Sequence, residues 1–553
     1  MEKELSSLDP KKSAGSDGLD PMFLKAAAPL IAAPVATLFN LSLQHSSFPA
    51  DWKAAMVFPL FKGGTGSDPN CYRPISILPC LAKVLEKLAL KQLNHFLTSS
   101  HILSDLQSGF RPGHGCMTAI MKVLDDITTA VASKLVCLAT FIDLAKAFDS
   151  VEHNTLLQRL SSIGLSPSCC DWFASYLTNR VQQVKSGNTI SDPLAISKGV
   201  PQGSILGPTL FSIYINEVAK EAGNSRIHLY ADDTILYAVG PSIASAAATL
   251  QESLNNVEKA FHSLHLRLNT SKTKCMLFSR KKETPSPPKI TCADGTPEGA
   301  ALEFVDSYKY LGIWLDSSLS FNTHINNLQS KVKARLAFLF RNKSSFTHAA
   351  KHILVKMTVL PILDYGDIIY RAASDTALKI LDTLHHSAIR FATNAPYLTH
   401  HHELYEKVDW SSLETRRSLH WHHFIYKTLL GKMPPYLSSL LSIAPKPCNT
   451  RASKYIQLTV PSGATFNTDL GRTSFRFAAA YDWNTLQSSL KLEHLPSLPI
   501  LKQYLQQIFF DCCACACPSL GSLIHTHPPA PADTLTNTHD PVIHYNATTG
   551  GIY

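Results

Sequence analysis

The sequence predicts an α+β protein in which short strands alternate with helices and a mainly helical region follows. Strand-like apolar runs occur at 52–61, 135–144 and 275–279, with helical apolar spacing between them. Residues 226–239 have the pattern of two short strands that meet at a polar turn, which predicts an antiparallel hairpin. Residues 350–510 show mainly helical spacing. These observations together define the predicted fold class.

Length and composition indicate a folded protein of several lobes. The chain has 553 residues, whereas one domain usually has about 100–200. Hydrophobic residues make up 45% and charged residues 17%, which excludes a wholly disordered chain. The formal net charge of +9 is compatible with a nucleic-acid partner. The absence of a fixed-period repeat excludes solenoids and propellers.

The cysteine pattern and the N-terminus predict an intracellular protein of the nucleus and cytoplasm. Thirteen cysteines at irregular spacings indicate reduced thiols. The first residues include no apolar stretch of the kind that signal peptides contain. Residues 26–43 are uncharged apart from their flanks, but Pro29, Pro34 and Asn40 favour a buried pair of helices over a membrane span.

The elements between these landmarks follow from local patterns. Apolar spacing predicts a helix at 81–97 and another at 250–268. After the strand at 135–144, a helix capped by Asn154 and ended by Gly164 is expected. Residues 324–343 have one apolar face surrounded by lysines and arginines, which predicts a basic amphipathic helix.

Three carboxylates occupy positions that can converge. Asp143 follows the predicted strand at 135–144, and Asp232 and Asp233 lie at the tip of the predicted hairpin. Three such groups suit a pair of Mg²⁺ ions, which bind oxygen ligands and stabilise both oxygens of an in-line phosphoryl displacement. Taken alone, the two adjacent aspartates also fit an ordinary polar turn, because Asp is favoured in turns.

The motifs around these carboxylates resemble a known family. The segments FIDLAKAFD at 141–149, GVPQGSILGP at 199–208 and YADD at 230–233 are similar, in this order, to the catalytic motifs of reverse transcriptases. The form of the first is that of LINE-type (non-LTR) retrotransposons. Further similar segments are YRPIS at 72–76, QSGFR at 107–111, SKTK at 271–274 and YLG at 310–312.

The resemblance implies a right-hand polymerase whose fingers, palm and thumb surround the nucleic acid, with an antiparallel sheet in the palm. The implied domains are an N-terminal extension and fingers at 1–135, palm at 136–285, primer grip and thumb at 286–400, a helical accessory region at 401–510, and a disordered tail at 511–553.

The resemblance also assigns the metal ligands. Asp143 and Asp232 are implied to bind two Mg²⁺ ions, for which Mn²⁺ can substitute, with Asp233 as a supporting ligand. We expect nearby positive charge to lower the pKa of these carboxyls.

Other residues are implied to contact the nucleotide. Lys62, Arg73 and Arg111 are candidates for the triphosphate or the template backbone, because Arg binds phosphate as a fork and Lys as a point charge. Surface charges without such a role are the alternative. Phe148 is implied to lie under the sugar and exclude a 2′-hydroxyl, whereas an isolated Phe would normally be a core residue.

The Gln-Gly segment and two later segments complete the implied site. Gln202 is expected to hydrogen-bond the incoming nucleotide, and Gly203 to allow close approach to sugar and template. Lys272 is a candidate proton donor to pyrophosphate, or a plain surface lysine. The implied primer grip comprises Tyr310, Leu311 and Gly312. The implied thumb contacts to nucleic acid are Lys331, Lys333 and Arg335.

The implied activity is RNA-directed DNA synthesis, with an RNA template, a DNA primer and dNTPs as partners and no membrane association. The oligomeric state stays open. Because the chain begins close to the first polymerase motif, we expect no endonuclease ahead of it. The alternatives are an RNA-dependent RNA polymerase or other palm-fold nucleotidyltransferase, and a catalytically silent, transposon-derived nucleic-acid-binding protein. The histidine-rich segments at 400–402 and 420–423 are expected on surfaces or in grooves rather than in a metal site.

Overall fold

A five-stranded sheet built around the apolar run at 135–144 organises the fold. The computed structural model describes residues 1–280, 288–293, 299–445 and 454–509, so the tail predicted at 511–553 lies outside the described residues. The strands are β1 (Ala54–Phe61), β2 (Tyr72–Ile77), β3 (Val136–Ile142), β4 (Arg180–Ser186), β5 (Thr189–Ile190), β6 (Leu194–Ile196), β7 (Arg226–Tyr230), β8 (Asp233–Gly240), β9 (Lys274–Phe278), β10 (Thr291–Cys292), β11 (Ala300–Ala301), β12 (Glu303–Phe304), β13 (Ser307–Tyr310) and β14 (Ile313–Asp316).

Helices surround the strands and make up the C-terminal region, as the sequence predicts. They are α1 (Glu2–Ser6), α2 (Pro21–Ala26), α3 (Ala28–Gln44), α4 (Cys80–Ser99), α5 (Cys116–Ala132), α6 (His153–Ser162), α7 (Pro167–Leu177), α8 (Gly207–Ile215), α9 (Ile243–Ser263), α10 (Asn322–Arg341), α11 (His348–Thr358), α12 (Leu360–Asp364), α13 (Asp367–Tyr370), α14 (Asp375–Thr393), α15 (His401–Glu406), α16 (Leu413–Leu429), α17 (Pro435–Ser438), α18 (Asp469–Arg472), α19 (Phe475–Leu490) and α20 (Leu498–Ile508).

The central sheet has the strand order β12-β9-β3-β8-β7. Strand β3 pairs antiparallel with both β8 and β9, and β7 completes the predicted hairpin with β8. Every residue of β3 is buried, because helices cover both faces of the sheet. A second sheet in the N-terminal region has the order β2-β1-β4-β5, and β6 pairs with β4. The prediction of a mixed helical and antiparallel-rich fold is confirmed.

Two apolar clusters lie on the opposite faces of the central sheet. Alternate residues of β3 divide between them: Phe141 packs with α5 and the C-terminal helices, whereas Ile142 packs with α4 and α6 to α9. This division follows from the two-residue period of a strand. The first cluster joins the sheet to helices α10, α14, α16 and α19. The C-terminal region therefore packs on the central sheet.

Three local predictions need correction. Residues 28–44 form one continuous helix with Pro34 inside it, not a buried pair, and Leu30 is 84% exposed. Helix α6 begins two residues earlier than predicted, so Glu152 and not Asn154 caps it by accepting a hydrogen bond from the Thr155 amide. Helix α9 lies at 243–263 rather than 250–268, because its first turns are rich in small alanines that the apolar pattern did not include.

The remaining helix predictions at 81–97 and 324–343 are confirmed by α4 and α10. In the described part of the chain, no helix combines the length and apolar character that a membrane crossing requires.

Candidate active site

The β-strand register brings the three predicted carboxylates together. Asp232 lies in the tight turn between β7 and β8, where Tyr230 pairs with Asp233. Ile142 pairs with Thr234, so Asp143, the next residue after β3, lies beside Asp233. Asp143 and Asp233 share the sheet face of Phe141, because side chains two residues apart point the same way. The three aspartates therefore lie at the same end of the sheet because of the strand register.

A segment from the N-terminal region holds the outer strand of this hairpin in place. The Leu229 amide donates to the Leu106 carbonyl over 2.8 Å, and the Ser108 amide donates to the Leu229 carbonyl over 2.8 Å. The buried Gln107 side chain accepts hydrogen bonds from the Gly109 amide at 2.8 Å and the Ala231 amide at 3.3 Å. We call residues 106–109 the clasp. Sequence reasoning assigned this segment to the fingers and missed its contact with the catalytic turn.

Gly109 is required by this close approach. A Cβ atom built on Gly109 would lie 2.3 Å from the amide nitrogen of Ala231, which is backbone and cannot move aside. Ala231 itself has a positive φ of 55°, which allows the tight turn that presents Asp232. The backbones of the clasp and of the turn are therefore in direct contact, which leaves no room for a side chain at position 109.

The electrostatics of the three carboxylates differ from the expectation. Burial raises the pKa of Asp232, with Asp143 adding to the effect and Arg73 opposing it. Burial and the neighbouring Asp232 and Asp143 raise the pKa of Asp233 to about 6. The expected lowering of the pKa is therefore wrong for Asp232 and Asp233, because burial and like charges outweigh the nearby cations. Lys272 lies beside the group, with its Nζ atom 4.0 Å from an Asp143 carboxylate oxygen.

The donor set fits divalent cations. Within the described ranges, no side chain donates a hydrogen bond to the carboxylate of Asp232 or Asp233. Asp232 and Asp143 are half-buried, and Asp233 is exposed. Clustered carboxylate oxygens that lack protein donors are the ligands that Mg²⁺ and Mn²⁺ prefer.

Phe148 lies at the border of this site. Its half-buried ring stacks on Phe211 with centroids 4.4 Å apart and meets the edge of Phe110 at 6.2 Å. Two other aromatic rings thus fix its position from one side. A ring held in this way can act as a steric wall, which is what the predicted sugar contact requires.

The Gln-Gly segment packs directly behind Phe148. The Val200 amide donates to the Phe148 carbonyl at 2.9 Å, and the Gln202 side-chain amide donates to Asp149 at 2.8 Å. This second bond fixes the Gln202 side chain, and no donor to its amide oxygen occurs among the described residues.

The glycines of this segment approach protein backbone. Gly203 has φ +118°, and a Cβ there would lie 2.4 Å from the Ser76 carbonyl oxygen. Gly199 has φ +86°, and a Cβ there would lie 2.9 Å from Asp149 backbone atoms. The need for glycine is therefore already explained by the contact between strand β2 and this segment, rather than by room for sugar or template.

The three predicted phosphate ligands have different surroundings. Lys62 and Arg73 are exposed at the end of β1 and on β2, and Arg73 is close enough to influence Asp232. Arg111 is half-buried and donates to the carbonyls of Ser104 at 2.7 Å and Gln107 at 3.2 Å. Its guanidinium thus stabilises the loop that leads into the clasp.

The predicted primer grip is the two-residue turn of the β13–β14 hairpin. Leu311 and Gly312 have φ values of +44° and +89°, and Tyr310 is buried. The Tyr365 hydroxyl donates to the Leu311 carbonyl at 2.7 Å. A Cβ on Gly312 would lie 2.9 Å from the Tyr365 ring.

Tyr308, which sequence reasoning missed, connects this hairpin to the carboxylates. Its ring stacks on Phe141 with centroids 4.2 Å apart and planes at 16°. Burial, with Asp233 and Asp143 adding to it, raises the pKa of Tyr308 to about 12. The hairpin therefore packs on the strand that carries Asp143. The only sequence signal was its position two residues before Tyr310 on the same strand face.

Helix α10 has the amphipathic pattern that the sequence predicts. Its apolar side is buried and its basic side chains Lys331, Lys333 and Arg335 are exposed. A charged, solvated helix face is available for nucleic acid, although the same exposure also suits a simple surface.

Among the described residues, Asp143, Asp232 and Asp233 do not have potential ligand atoms that all lie within 4.8 Å of one another, whereas a different group does. Oxygen and nitrogen atoms of Asp364, Asp367 and His420 lie within 4.8 Å of one another. Arg416 forms a two-bond ion pair with Asp364, and His420 Nδ1 lies 2.5 Å from Asp367. These carboxylates already have protein partners, so this group has the features of a structural ion-pair network.

Comparison with known proteins agrees with the motifs. Residues 62–315 match the family model described as reverse transcriptase (RNA-dependent DNA polymerase). A probable RNA-directed DNA polymerase from transposon BS of Drosophila melanogaster is 31% identical over 75% of this chain and 46% of its own length. The RNA-directed DNA polymerase from mobile element jockey of the same fly is 30% identical over 71% of this chain and 43% of its own length. A probable RNA-directed DNA polymerase from transposon X-element of Drosophila melanogaster is 27% identical over 72% of this chain and 44% of its own length.

The chain spans about half the length of the curated relatives it matches. The aligned region includes the carboxylate cluster, the clasp and the primer-grip hairpin, since all three lie within residues 62–315. The chain belongs to the reverse transcriptases of non-LTR retrotransposons.

Proposed function

We propose that this chain is an RNA-directed DNA polymerase that extends a DNA primer with dNTPs on an RNA template. The observation that carries the proposal is that the strand register places Asp143, Asp232 and Asp233 at one end of the central sheet, where no described side chain donates a hydrogen bond to Asp232 or Asp233. Asp143 and Asp232 would hold two Mg²⁺ or Mn²⁺ ions, with Asp233 in support. Such ions, when bound, neutralise the charge that develops on the reacting phosphoryl group.

The remaining site residues bind, orient and select the substrate. The free amide oxygen of Gln202 can accept a hydrogen bond from the incoming nucleotide, and Arg73 and Lys62 can pair with its phosphates. Lys272, 70% exposed, can give a proton to the leaving pyrophosphate. Arg111 supports this arrangement less directly, since its Nη1 atom is used by the backbone carbonyls of Ser104 and Gln107.

A right-hand arrangement is the finer part of the proposal. The fingers and N-terminal extension would comprise 1–135, the palm 136–285, and the primer grip and thumb 286–400, with 401–510 as an accessory region. The central sheet supports the palm assignment, because it carries all three carboxylates. The exposed basic side of α10 supports contact with the duplex backbone. The unpaired state of the described cysteines supports a reducing compartment, the nucleus and cytoplasm.

Primer extension tests the proposal. Purified protein receives a pre-primed RNA template, with Mg²⁺ or EDTA and with dNTPs or NTPs in separate reactions. We expect DNA synthesis with dNTPs that requires Mg²⁺. Extension with NTPs alone would indicate an RNA polymerase, and template binding without any extension would indicate a silent nucleic-acid-binding protein.

The matched variants are Asp232→Asn and Asp192→Asn. Asp232→Asn removes a ligand charge with almost no change in shape, and we expect extension to fall by roughly a thousandfold or more while template-primer binding is kept. Asp192 is exposed and lies outside the motifs, so its variant should extend like wild type. Normal extension by Asp232→Asn would contradict the metal assignment.

Sugar selection has its own test. Phe148→Val removes ring volume from the stack with Phe211 and should increase ribonucleotide relative to deoxyribonucleotide incorporation. The measurement is single-nucleotide incorporation with each sugar. Phe338→Val, a change at an exposed ring on α10, is the control for loss of an aromatic side chain. Unchanged sugar preference in Phe148→Val would place the selection elsewhere.

A further inference from the structure

The segment GKMPPYL at 431–437 is a motif to which the proposed chemistry gives no role. It ends in the short helix α17, and Tyr436 there is 7% exposed although it lies far along the chain from the active-site motifs. The Tyr436 hydroxyl lies 2.9 Å from the Ser108 hydroxyl and 3.1 Å from that of Thr118. Its ring meets the edges of His114 and His228 at 5.9 and 5.2 Å.

These partners belong to the clasp and to the catalytic hairpin. The Ser108 side chain also lies 2.9 Å from Nε2 of His228, which is on β7 four residues before Asp232. The Ser108 amide pairs with the Leu229 carbonyl of the same strand. Tyr436 thus contacts the outer strand of the hairpin directly through its ring, and it is joined to that strand by hydrogen bonds through the single side chain of Ser108.

One direction of donation satisfies every hydroxyl in this chain of hydrogen bonds. Thr118 donates to the Gly115 carbonyl at 2.8 Å, so it must accept from Tyr436. Tyr436 then accepts from Ser108, and Ser108 accepts from Nε2–H of His228. Burial lowers the pKa of His228 to about 3, which keeps the ring neutral with one donor to give.

The clasp matters because β7 is an edge strand. It has β8 on one side, and on the other it has only the clasp, through the Gln107–Leu229 bridge. The two residues beside Ser108 contact the turn itself: Gln107 accepts from the Ala231 amide, and Gly109 approaches it closely. A shift of Ser108 therefore moves the turn that carries Asp232.

We propose that Tyr436 is a positioning residue for polymerisation: through Ser108 and His228 it fixes the clasp and the catalytic hairpin, so the C-terminal region completes the active site. The inference rests on the proposed polymerase function. It assigns to the 431–437 segment a role in aligning Asp232 rather than in binding nucleic acid.

The test compares Tyr436→Phe with wild type in single-nucleotide incorporation. The variant keeps the ring and removes one hydroxyl, so it should fold and bind template-primer normally. We expect kcat to fall roughly five- to tenfold with the KM for dNTP almost unchanged, because carboxylate alignment and not nucleotide binding is disturbed. Tyr397→Phe, at an 85% exposed tyrosine, is the control and should match wild type.

A double-mutant cycle separates positioning from plain stability. Ser108→Ala removes the intervening hydroxyl, and the double variant Ser108→Ala/Tyr436→Phe should lose little more kcat than the worse single variant. Additive losses, a change confined to KM, or a lower Tm with unchanged kcat would each overturn the inference. If wild type and Tyr397→Phe extend no primer at all, the proposed function fails instead, so the two failures are distinct.

Discussion

Two adjacent aspartate pairs, Asp125–Asp126 and Asp232–Asp233, have opposite surroundings although both lie against the central sheet. Arg476 binds the fully buried Asp125 side chain through its guanidinium at 2.5 and 2.9 Å and through its backbone amide at 3.0 Å. Asp126 receives bonds from Lys122, Arg226 and Tyr237. Asp232 and Asp233, by contrast, receive no side-chain hydrogen bond within the described residues.

The difference separates carboxylates that are compensated within the fold from the carboxylates that we propose to bind a ligand. Buried charge without partners is costly, so a protein keeps it where something else supplies the compensation. Asp125 and Asp126 are compensated by protein cations and connect α5 to β7 and α19. The raised pKa values of Asp232 and Asp233 indicate a deficit of positive charge that bound cations would supply.

The largest expected effect concerns the compensated pair. Arg476→Leu leaves Asp125 buried without its cation, and the free energy of unfolding should fall by about 3–5 kcal/mol. Urea unfolding measures it. Arg472→Leu, at an exposed arginine one turn away, should change stability by less than about 0.5 kcal/mol. Equal effects of the two variants would remove the distinction between the pairs.

A smaller effect of opposite sign is expected at the uncompensated pair. Without metal, Asp232→Asn removes a repulsive charge and should raise Tm by about 1–3 °C. With Mg²⁺ the order should reverse, since wild type binds and is stabilised by the ions and the variant is not. Thermal scans in EDTA and in Mg²⁺ measure this. A variant less stable than wild type in EDTA would contradict the deficit of positive charge.

The smallest effect on stability is expected at the Asp364–Asp367–His420 group. Its carboxylates have protein partners, but the group is more exposed than the Asp125–Arg476 ion pair. The hydrogen bond to Asp367 raises the pKa of His420. Protonated His420 therefore stabilises the fold below its unfolded pKa, about 6.5, and this stabilisation is lost as pH rises through the raised folded value. His420→Gln should cost less than about 1 kcal/mol, because 42% of the side chain is exposed.

The pH dependence is the diagnostic measurement for this group. The Tm difference between wild type and His420→Gln should be greatest at pH 6 and shrink towards pH 9. His423→Gln, three residues away on α16, is the matched control. A difference that grows with pH, or Tm of wild type rising on addition of Zn²⁺, would indicate a metal site instead.

Much of the site was predictable because its motifs are local. The hairpin at 226–239 follows from two short strand patterns that meet at a polar turn, and the strand before Asp143 follows from a continuous apolar run. Their register then brings the carboxylates to one end of the sheet. The amphipathic helix at 324–343 follows equally from spacing. Each of these signals is contained in one short stretch of chain.

What sequence reasoning missed depends on contacts between distant stretches. The contact of Gly203 with Ser76, the stack of Tyr308 on Phe141 and the bond from Tyr436 to Ser108 leave no periodic pattern. The predicted direction of the Asp232 pKa shift was also wrong. Burial causes this shift, and burial is set by the assembled fold, which composition does not show.

The ion pair between Asp125 and Arg476 also has a consequence for biosynthesis. The two residues are 351 positions apart, so at about 5–20 residues per second the ribosome needs roughly 20–70 s between them. During that interval Asp125 on helix α5 has no arginine to bind it, whereas the partners of Asp126, among them Lys122 and Arg226, are already part of the chain. The nascent polymerase domain must therefore wait for its last helices before that face can close, and chaperones that bind incomplete chains have their longest opportunity there.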